Sequence, residues 1–211
     1  MIDLYTWQTP NGRKVSIGLE EFGLDYETHP INIGKDEQFA PDFLAISPNN
    51  KIPAIVDREN GTAMMESGAI LLYLADKTGL LMPGDEKGRW KAMEWLMMQM
   101  GSVGPMLGQT HHFARFNEGK APYAEERFLN ETKRIYGVLN RRLGETEYLA
   151  GEDYTIADIA TWPWISRYEW HRIDWADFSN LKRWYVAIAG RPAVQKGYDV
   201  PNKVQDIPVP E

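Results

Sequence analysis

The sequence predicts an α/β half followed by an all-α half, and three observations carry that prediction. Over residues 1–80, short apolar runs alternate with amphipathic runs in the order βαβαββα, which places a mixed sheet among helices. After Leu81-Met82-Pro83-Gly84-Asp85-Glu86, a Pro-Gly step flanked by charge, only helical spacings recur, over residues 87–200. Between the two, Ile52-Pro53 leads into a short apolar strand, and an X-Pro bond is the one peptide bond that turns cis at modest cost.

The elements follow in order. Residues 2–6 read as a strand and 11–22 as a helix, with Val15, Ile17, Leu19 and Phe22 apolar. A second strand is expected over 26–33 and a short helix over 38–46. Strands at 54–56 and 63–65 flank Arg58-Glu59-Asn60-Gly61, whose Asn-Gly pair signals a tight hairpin. A helix over 66–77 closes the first half and stops at Gly79. In the second half, Trp90, Met93, Met97, Met100, Gly104 and Leu107 recur at three- and four-residue steps, predicting one buried helix face, part of it available for self-association. Phe128, Ile135, Leu139 and Leu143 mark a long helix begun at Pro122, because proline suits a first turn. Thr155-Ile156-Ala157-Asp158 is a capping box with aspartate in place of glutamate, and Leu181, Trp184, Tyr185 and Ile188 mark a last helix. The proline-dotted tail after Tyr198 reads as extended.

Bulk composition narrows the function classes. The chain has 211 residues, 43% hydrophobic and 25% charged, the balance of an ordinary globular protein. A net charge of −7 argues against nucleic acid, which needs a concentrated basic face. There are no cysteines, so a disulfide framework and a thiolate zinc site are both excluded. Thiol chemistry would have to arrive with a bound co-substrate. The four histidines, His111-His112 among them, lack metal-ligand spacing, and no metal is expected. The N-terminus lacks a signal-peptide pattern and no apolar run is long enough for a membrane, so a cytoplasmic location is expected.

Two blocks carry the chemistry. A cis Ile52-Pro53 bond would turn the main chain of Ile52 outward, where its N–H and C=O could pair with an extended peptide. Glu66-Ser67 opens an apolar helix, whose free amides and positive dipole end suit a carboxylate. Together they form a clamp for a small acidic peptide.

With these residues in view, the chain resembles the cytosolic glutathione S-transferases over about residues 1–200: a thioredoxin-like first half with an Ile-Pro turn and a Glu-Ser helix start, joined to a helical-bundle half containing Tyr154-Thr155-Ile156-Ala157-Asp158. More narrowly, Thr9-Pro10-Asn11-Gly12, Ser47-Pro48-Asn49-Asn50-Lys51-Ile52-Pro53, Gly104-Pro105-Met106-Leu107-Gly108-Gln109 with His111-His112-Phe113, and Ile156-Ala157-Asp158-Ile159-Ala160 with Trp162-Pro163-Trp164 resemble the bacterial Nu class. That class includes disulfide-bond oxidoreductases and is related to a fungal nitrogen-regulator branch.

The resemblance implies a glutathione site. Ile52 pairs main chain to main chain with the cysteinyl unit; Glu66 and Ser67 hold the γ-glutamyl ammonium and carboxylate; Gln38 and Lys51 lie where the glycyl end is held. Arg127 matches an arginine that reaches glutathione from the helical half. Thr9 and Asn11 flank the sulfur, Asn11 standing where other classes place a catalytic serine or cysteine. An amide cannot take a proton but can donate a hydrogen bond, so the site would stabilise a thiolate rather than deprotonate it with a protein base. Thr9 also fits a helix cap, and Asp158 a structural one. Trp7, Phe113, Trp164 and Tyr168 are candidates for the apolar co-substrate side.

The function so implied is glutathione-dependent reduction of disulfides, with organic-peroxide reduction and weak conjugation of electrophiles beside it, in a symmetric homodimer. Two alternatives stay open: a conventional conjugating transferase, and a non-catalytic binding protein that keeps the fold.

Overall fold

The computed structural model describes residues 1–210 and contains two compact units. The first comprises Met1–Leu81 with Gly190–Ile207, and the second Met82–Ala189 with the residues from Pro208 onward.

In the first unit, four strands, β1 (Ile2–Thr6), β2 (Tyr26–Pro30), β3 (Ala54–Asp57) and β4 (Thr62–Met65), form one sheet in the order β2-β1-β3-β4. β1 runs parallel to β2, and the β1–β3 and β3–β4 pairs are antiparallel. The parallel pair needs a crossover, and α1 (Pro10–Phe22) supplies it. Thr9 caps α1 by accepting from the Gly12 N–H at 3.1 Å, and Gly23 ends it in the left-handed region at φ 65°. The hairpin falls where Asn60-Gly61 signals it, with Gly61 at φ 72° and its N–H 2.8 Å from the Asp57 carbonyl. The closing helix, α3 (Ser67–Thr78), stops at Gly79 in the left-handed region.

Two expected elements come out shorter. β2 ends at Pro30, which has no N–H to extend the ladder; the chain leaves it through a single bond from Ile31 N–H to the Thr6 carbonyl. The helix expected over 38–46 divides into a 3₁₀ turn at Glu37–Phe39 and a single turn, α2 (Pro41–Leu44). Pro41 is the cause: it holds Ala40 extended, at φ −62° and ψ 135°, and so interrupts the helix.

The sequence reading placed residues up to 200 with the helical half, yet the segment 190–207 packs on α1. Here α9 (Pro192–Tyr198) lies so close to α1 that a Cβ on Gly197 would stand 2.6 Å from the Ile17 Cα. Ser16 donates its hydroxyl to the Gly197 carbonyl at 2.7 Å, and Arg13 donates Nε–H to the Tyr198 carbonyl at 3.0 Å. The Arg13 guanidinium also covers the Tyr198 ring at 3.4 Å. Arg191 and Lys196 complete the seam with Glu21 and Glu20.

The second unit contains α4 (Glu86–Met98), α5 (Gly104–Thr110), α6 (Pro122–Leu143), α7 (Ile156–Ile165) and α8 (Ser179–Ala189). Wider π-type turns at Gln99–Val103 and His111–Phe116 flank α5. Of the face expected to be buried, Gly104 and Leu107 are buried, but upstream of them it is displaced. Trp90 and Met97 are 64% and 46% exposed, while Ala92, Leu96, Gln99 and Val103 are buried. The extra residue per turn in the π-type stretch shifts the phase of the stripe, which a uniform helical period cannot follow. Helix α6 begins at Pro122 as expected.

Thr155 and Asp158 form the capping box at the start of α7. Asp158 is fully buried and also accepts from the Leu149 N–H at 2.9 Å and the Trp184 Nε1–H at 2.8 Å. Burial pushes its carboxyl up, against the pull of these donors. Deeper in, Tyr136, His171 and His111 form a hydrogen-bonded row: Tyr136 hydroxyl to His171 Nδ1 at 2.8 Å, and His171 Nε2 to His111 Nε2 at 2.8 Å. Trp164 stacks on His111. Among the described residues, no helix is long and apolar enough to cross a membrane.

Two expectations follow from this packing. Gly197→Ala forces α9 off α1 and is expected to cost about 2 kcal/mol, read as a lower urea midpoint. Burial, with Arg167 nearby, lowers His111 to about 4 and holds His171 well below its ordinary value. The unfolded chain therefore binds more protons below the ordinary imidazole range, and stability falls as pH drops from about 6.5 towards 4. The slope from His111 alone approaches about 1.4 kcal/mol per pH unit. Urea midpoints across that window, with His111 and His171 C2–H resonances that do not titrate above pH 5, would show it.

Candidate glutathione site

Three chain segments meet at one end of the sheet in the first unit. β1 runs into the Trp7–Thr9 turn and α1; Ile52 and Pro53 lead into β3; Glu66 leaves β4 for α3. The pairings Tyr5↔Ala54 and Ala54↔Met65 fix these ends side by side.

The first segment depends on a glycine. A Cβ on Gly12 would stand 2.1 Å from the Trp7 carbonyl oxygen and 2.5 Å from Thr6 Oγ1, so only glycine lets α1 begin this close to β1. Thr9 spends its oxygen on the Gly12 N–H, and its hydroxyl proton keeps no acceptor among the described residues. Pro10 at the first helical position has no N–H to give. What α1 offers a ligand at its start therefore comes largely from side chains, Thr9 and Asn11, which are both partly exposed.

In the second segment the Ile52–Pro53 bond is cis. The main chain of Ile52 makes no hydrogen bond within the described residues, while its side chain joins Phe43 and Ala54 in a cluster packed by Tyr5, Trp7, Ile31 and Ile46. The side chain is anchored and the peptide groups are open, the arrangement that pairing with an extended ligand requires. Just before it, the Lys51 carbonyl accepts the Ser47 hydroxyl at 2.8 Å, and the Lys51 side chain is exposed.

The third segment holds unusual backbone. Glu66 stands at φ 72° and ψ 109°, a region that side-chain-bearing residues rarely adopt, with its carboxylate exposed. No side chain caps α3, so the amides at its start and its positive dipole end are left for an anion. Ser67 is buried at the same point.

A residue outside the sequence-derived set joins this group. Lys14 on α1 is 1% exposed, and its Nζ donates to Ser67 Oγ at 3.4 Å. Burial is the larger influence and lowers it to about 7, against the raising effect of the Glu66 charge. Its neighbour Arg13 is buried as well. No spacing reveals that α3 and α9 both pack against α1 and bury the two side chains.

The remaining predicted residues stand on other segments, most of them in the second unit. Gln38 sits in the 3₁₀ turn at Glu37–Phe39, its Nε2 3.5 Å from Asp36 Oδ1 and its buried Oε1 without a partner. Arg127 belongs to the second unit, exposed on α6 beside a cleft of about 600 Å³ that Met106, Tyr123 and Phe128 also line. Of the apolar candidates, Trp164 and Tyr168 are buried in the second unit, 7% and 8% exposed, against His111 and Trp175 respectively. They serve its core. Phe113 stacks on Phe128 at 5.4 Å, and Trp7 packs beside Ile52. Of the two sequence-adjacent histidines, His111 is committed to the buried row and His112 is exposed.

One cluster has metal-ligand composition: Asp3, Glu27 and His29. The Arg58 guanidinium already fills it, donating to both carboxylates, with Nε 2.8 Å from Asp3 Oδ2. The Arg58 hydrogen bonds hold the Asp3 carboxyl down at about 2.

Comparisons with known proteins agree with this geometry. The chain matches the glutathione S-transferase N-terminal domain over residues 9–77 and the C-terminal domain over residues 90–192. It is 50% identical to the disulfide-bond oxidoreductase YfcG of Escherichia coli (strain K12), over 92% of each chain. Among solved structures, a glutathione transferase from Burkholderia graminis, with two glutathione molecules bound per subunit, is 45% identical at a TM-score of 0.89, covering 96% of this chain and 89% of that one. A glutathione transferase from Pseudomonas putida, with one glutathione disulfide bound per subunit, is 42% identical at a TM-score of 0.89, covering 95% and 92%. An open Ile52 main chain, an uncapped helix start at Ser67 and two matched domains across nearly the whole chain have one explanation: the chain belongs to the glutathione S-transferase family.

Proposed function

We propose that this protein is a glutathione-dependent disulfide oxidoreductase that uses the thiolate of bound glutathione and no thiol of its own. The observation that carries it is the pairing of a cysteine-free chain with Thr9 and Asn11 at the start of α1, beside the open main chain of Ile52. YfcG is named a disulfide-bond oxidoreductase, and the two solved relatives hold two glutathiones or one glutathione disulfide, the reactants and product of that chemistry.

The tripeptide lies along residues 51–53, its cysteinyl N–H and C=O paired with Ile52. Its γ-glutamyl carboxylate meets Ser67 and the start of α3, and its ammonium meets Glu66. Gln38 and Lys51 take the glycyl carboxylate, and Arg127 is a further glutathione ligand. The Thr9 hydroxyl, whose proton is unspent, and the Asn11 amide donate to the sulfur and favour its anion. That anion attacks one sulfur of a substrate disulfide; the S–S bond breaks, a mixed disulfide with glutathione forms, and the other sulfur leaves as thiolate. A second glutathione thiolate then attacks the glutathionyl sulfur, giving glutathione disulfide and the second substrate thiol. Two glutathiones are oxidised for each disulfide reduced. Organic peroxides and, weakly, electrophiles are further substrates of the same thiolate. Residues 1–80, with 190–207 packed on them, form the glutathione-binding domain and 87–189 the helical one, in a cytoplasmic homodimer to which the exposed Trp90 and Met97 contribute contact area.

Turnover of 2-hydroxyethyl disulfide with glutathione tests the reading. Activity on an aryl halide exceeding that on the disulfide would favour the conjugating alternative, and glutathione binding without turnover the non-catalytic one. Asn11→Ala is expected to lower kcat/KM on the disulfide by about tenfold to a hundredfold, the worth of a hydrogen bond to a charged group. Thr9→Ala should match it and lose about 1 kcal/mol of stability with the cap, whereas Thr9→Ser restores both. Glu66→Gly is expected to raise stability by about 1 kcal/mol by relieving the backbone at φ 72°, while glutathione affinity falls; urea midpoints and calorimetry on one preparation check both.

A further inference from the structure

We propose that Lys14 is a positioning residue of the γ-glutamyl pocket: it takes up a proton as the ligand carboxylate seats on Ser67, so that one hydroxyl couples ligand binding to protonation. The inference rests on the reading of Glu66 and Ser67 given above and adds to it a residue that never touches the ligand.

The geometry is specific. Lys14 lies in the second turn of α1, 1% exposed, and Ser67, itself 4% exposed, is the first residue of α3; Nζ and Oγ are 3.4 Å apart. A serine hydroxyl has one proton and two lone pairs. Opposite an uncharged amine it can give its proton to the nitrogen lone pair, and it then has none for a carboxylate. Opposite an ammonium it can only accept, so its proton turns outward to the site where the γ-glutamyl carboxylate arrives. The charged lysine and the bound carboxylate therefore each favour the other, through hydrogen-bond polarity and directly as opposite charges in a poorly hydrated place.

The other charges on the surrounding elements are engaged elsewhere. Glu66 is the acidic group that acts on Lys14, and in the ligated site it faces the γ-glutamyl ammonium. On α1, Arg13 is turned to Tyr198. On α9, Lys196 pairs with Glu20. At the far end of α3, Lys77 pairs with Asp57 and Glu59, and Asp57 also accepts from Tyr73. Burial lowers Lys14 to about 7, so the unliganded protein holds it mostly uncharged in mildly alkaline solution, and an arriving anion raises it. The proton comes from solvent and stays on Nζ; no bond of the ligand changes.

S-methylglutathione is the probe, because its sulfur cannot ionise. Calorimetry of the intact protein between pH 6 and 8.5, in buffers of differing ionisation enthalpy, gives protons taken up per ligand bound. The expected result is none at pH 6 and ~0.9 at pH 8, with Kd weakening by close to tenfold per pH unit there. Lys14→Met should abolish the uptake and flatten the pH dependence of Kd. Uptake that persists in Lys14→Met would assign the proton to the ligand's own ammonium and overturn the proposal. A measurement without any variant is the ¹³Cε resonance of Lys14 in lysine-labelled protein. It should titrate near 7 alone and well above that with S-methylglutathione, and an unmoved midpoint would also overturn it. Binding without proton uptake sinks this inference alone, whereas no binding at any pH sinks the site reading with it.

Discussion

The close approach of α1 to the end of β1 is the constraint on which the first unit depends. With a hydrogen where any other residue carries a Cβ, Gly12 sits against the Trp7 carbonyl. That contact fixes where α1 starts and how it lies. Three consequences share the one cause. Thr9 is held at the cap with its hydroxyl proton available. Asn11 is set in the first turn. Lys14 falls one turn further on, against the start of α3. A helix begun an ångström further out would disturb all of them at once.

Polar groups are buried in both units, and their partners show why they persist. Asp158 gathers donors from Leu149, Thr155 and Trp184, tying a loop, a cap and α8 to one carboxylate. The Tyr136–His171–His111 row satisfies each ring in turn within an aromatic core. Such networks specify one arrangement, because any alternative packing strands a buried donor or acceptor. Lys14 is of another kind. Its neighbour Ser67 stands at an uncapped helix start, and the acidic group that acts on it, Glu66, is exposed.

Local chemistry was legible in the sequence wherever a residue type dictates its own backbone. The Asn60-Gly61 turn, the Pro122 start, the Thr155–Asp158 box and the Ile52–Pro53 step could each be located from a few neighbouring residues. The start of α3 at Ser67 was legible too, although the strained backbone at Glu66 was not. Long-range packing was the illegible part. A uniform period placed Trp90 and Met97 inside, and the π-type turns at 99–103 and 111–116 shift the phase in a way no residue announces. Trp164 and Tyr168 looked like pocket walls because aromatic residues serve cores and clefts equally well. Lys14 could not be found at all from spacing, since its burial comes from segments more than fifty and nearly two hundred positions away along the chain.

The seam between α1 and α9 bears on biosynthesis. A ribosome releases β1, α1 and the rest of the sheet first, yet the layer that shields Ser16, Ile17 and Arg13 follows only after the helices of the second unit. Until that layer emerges, the nascent sheet must wait with one flank of its first helix uncovered. A stop codon placed before residue 190 would therefore damage the portion of the molecule made earliest.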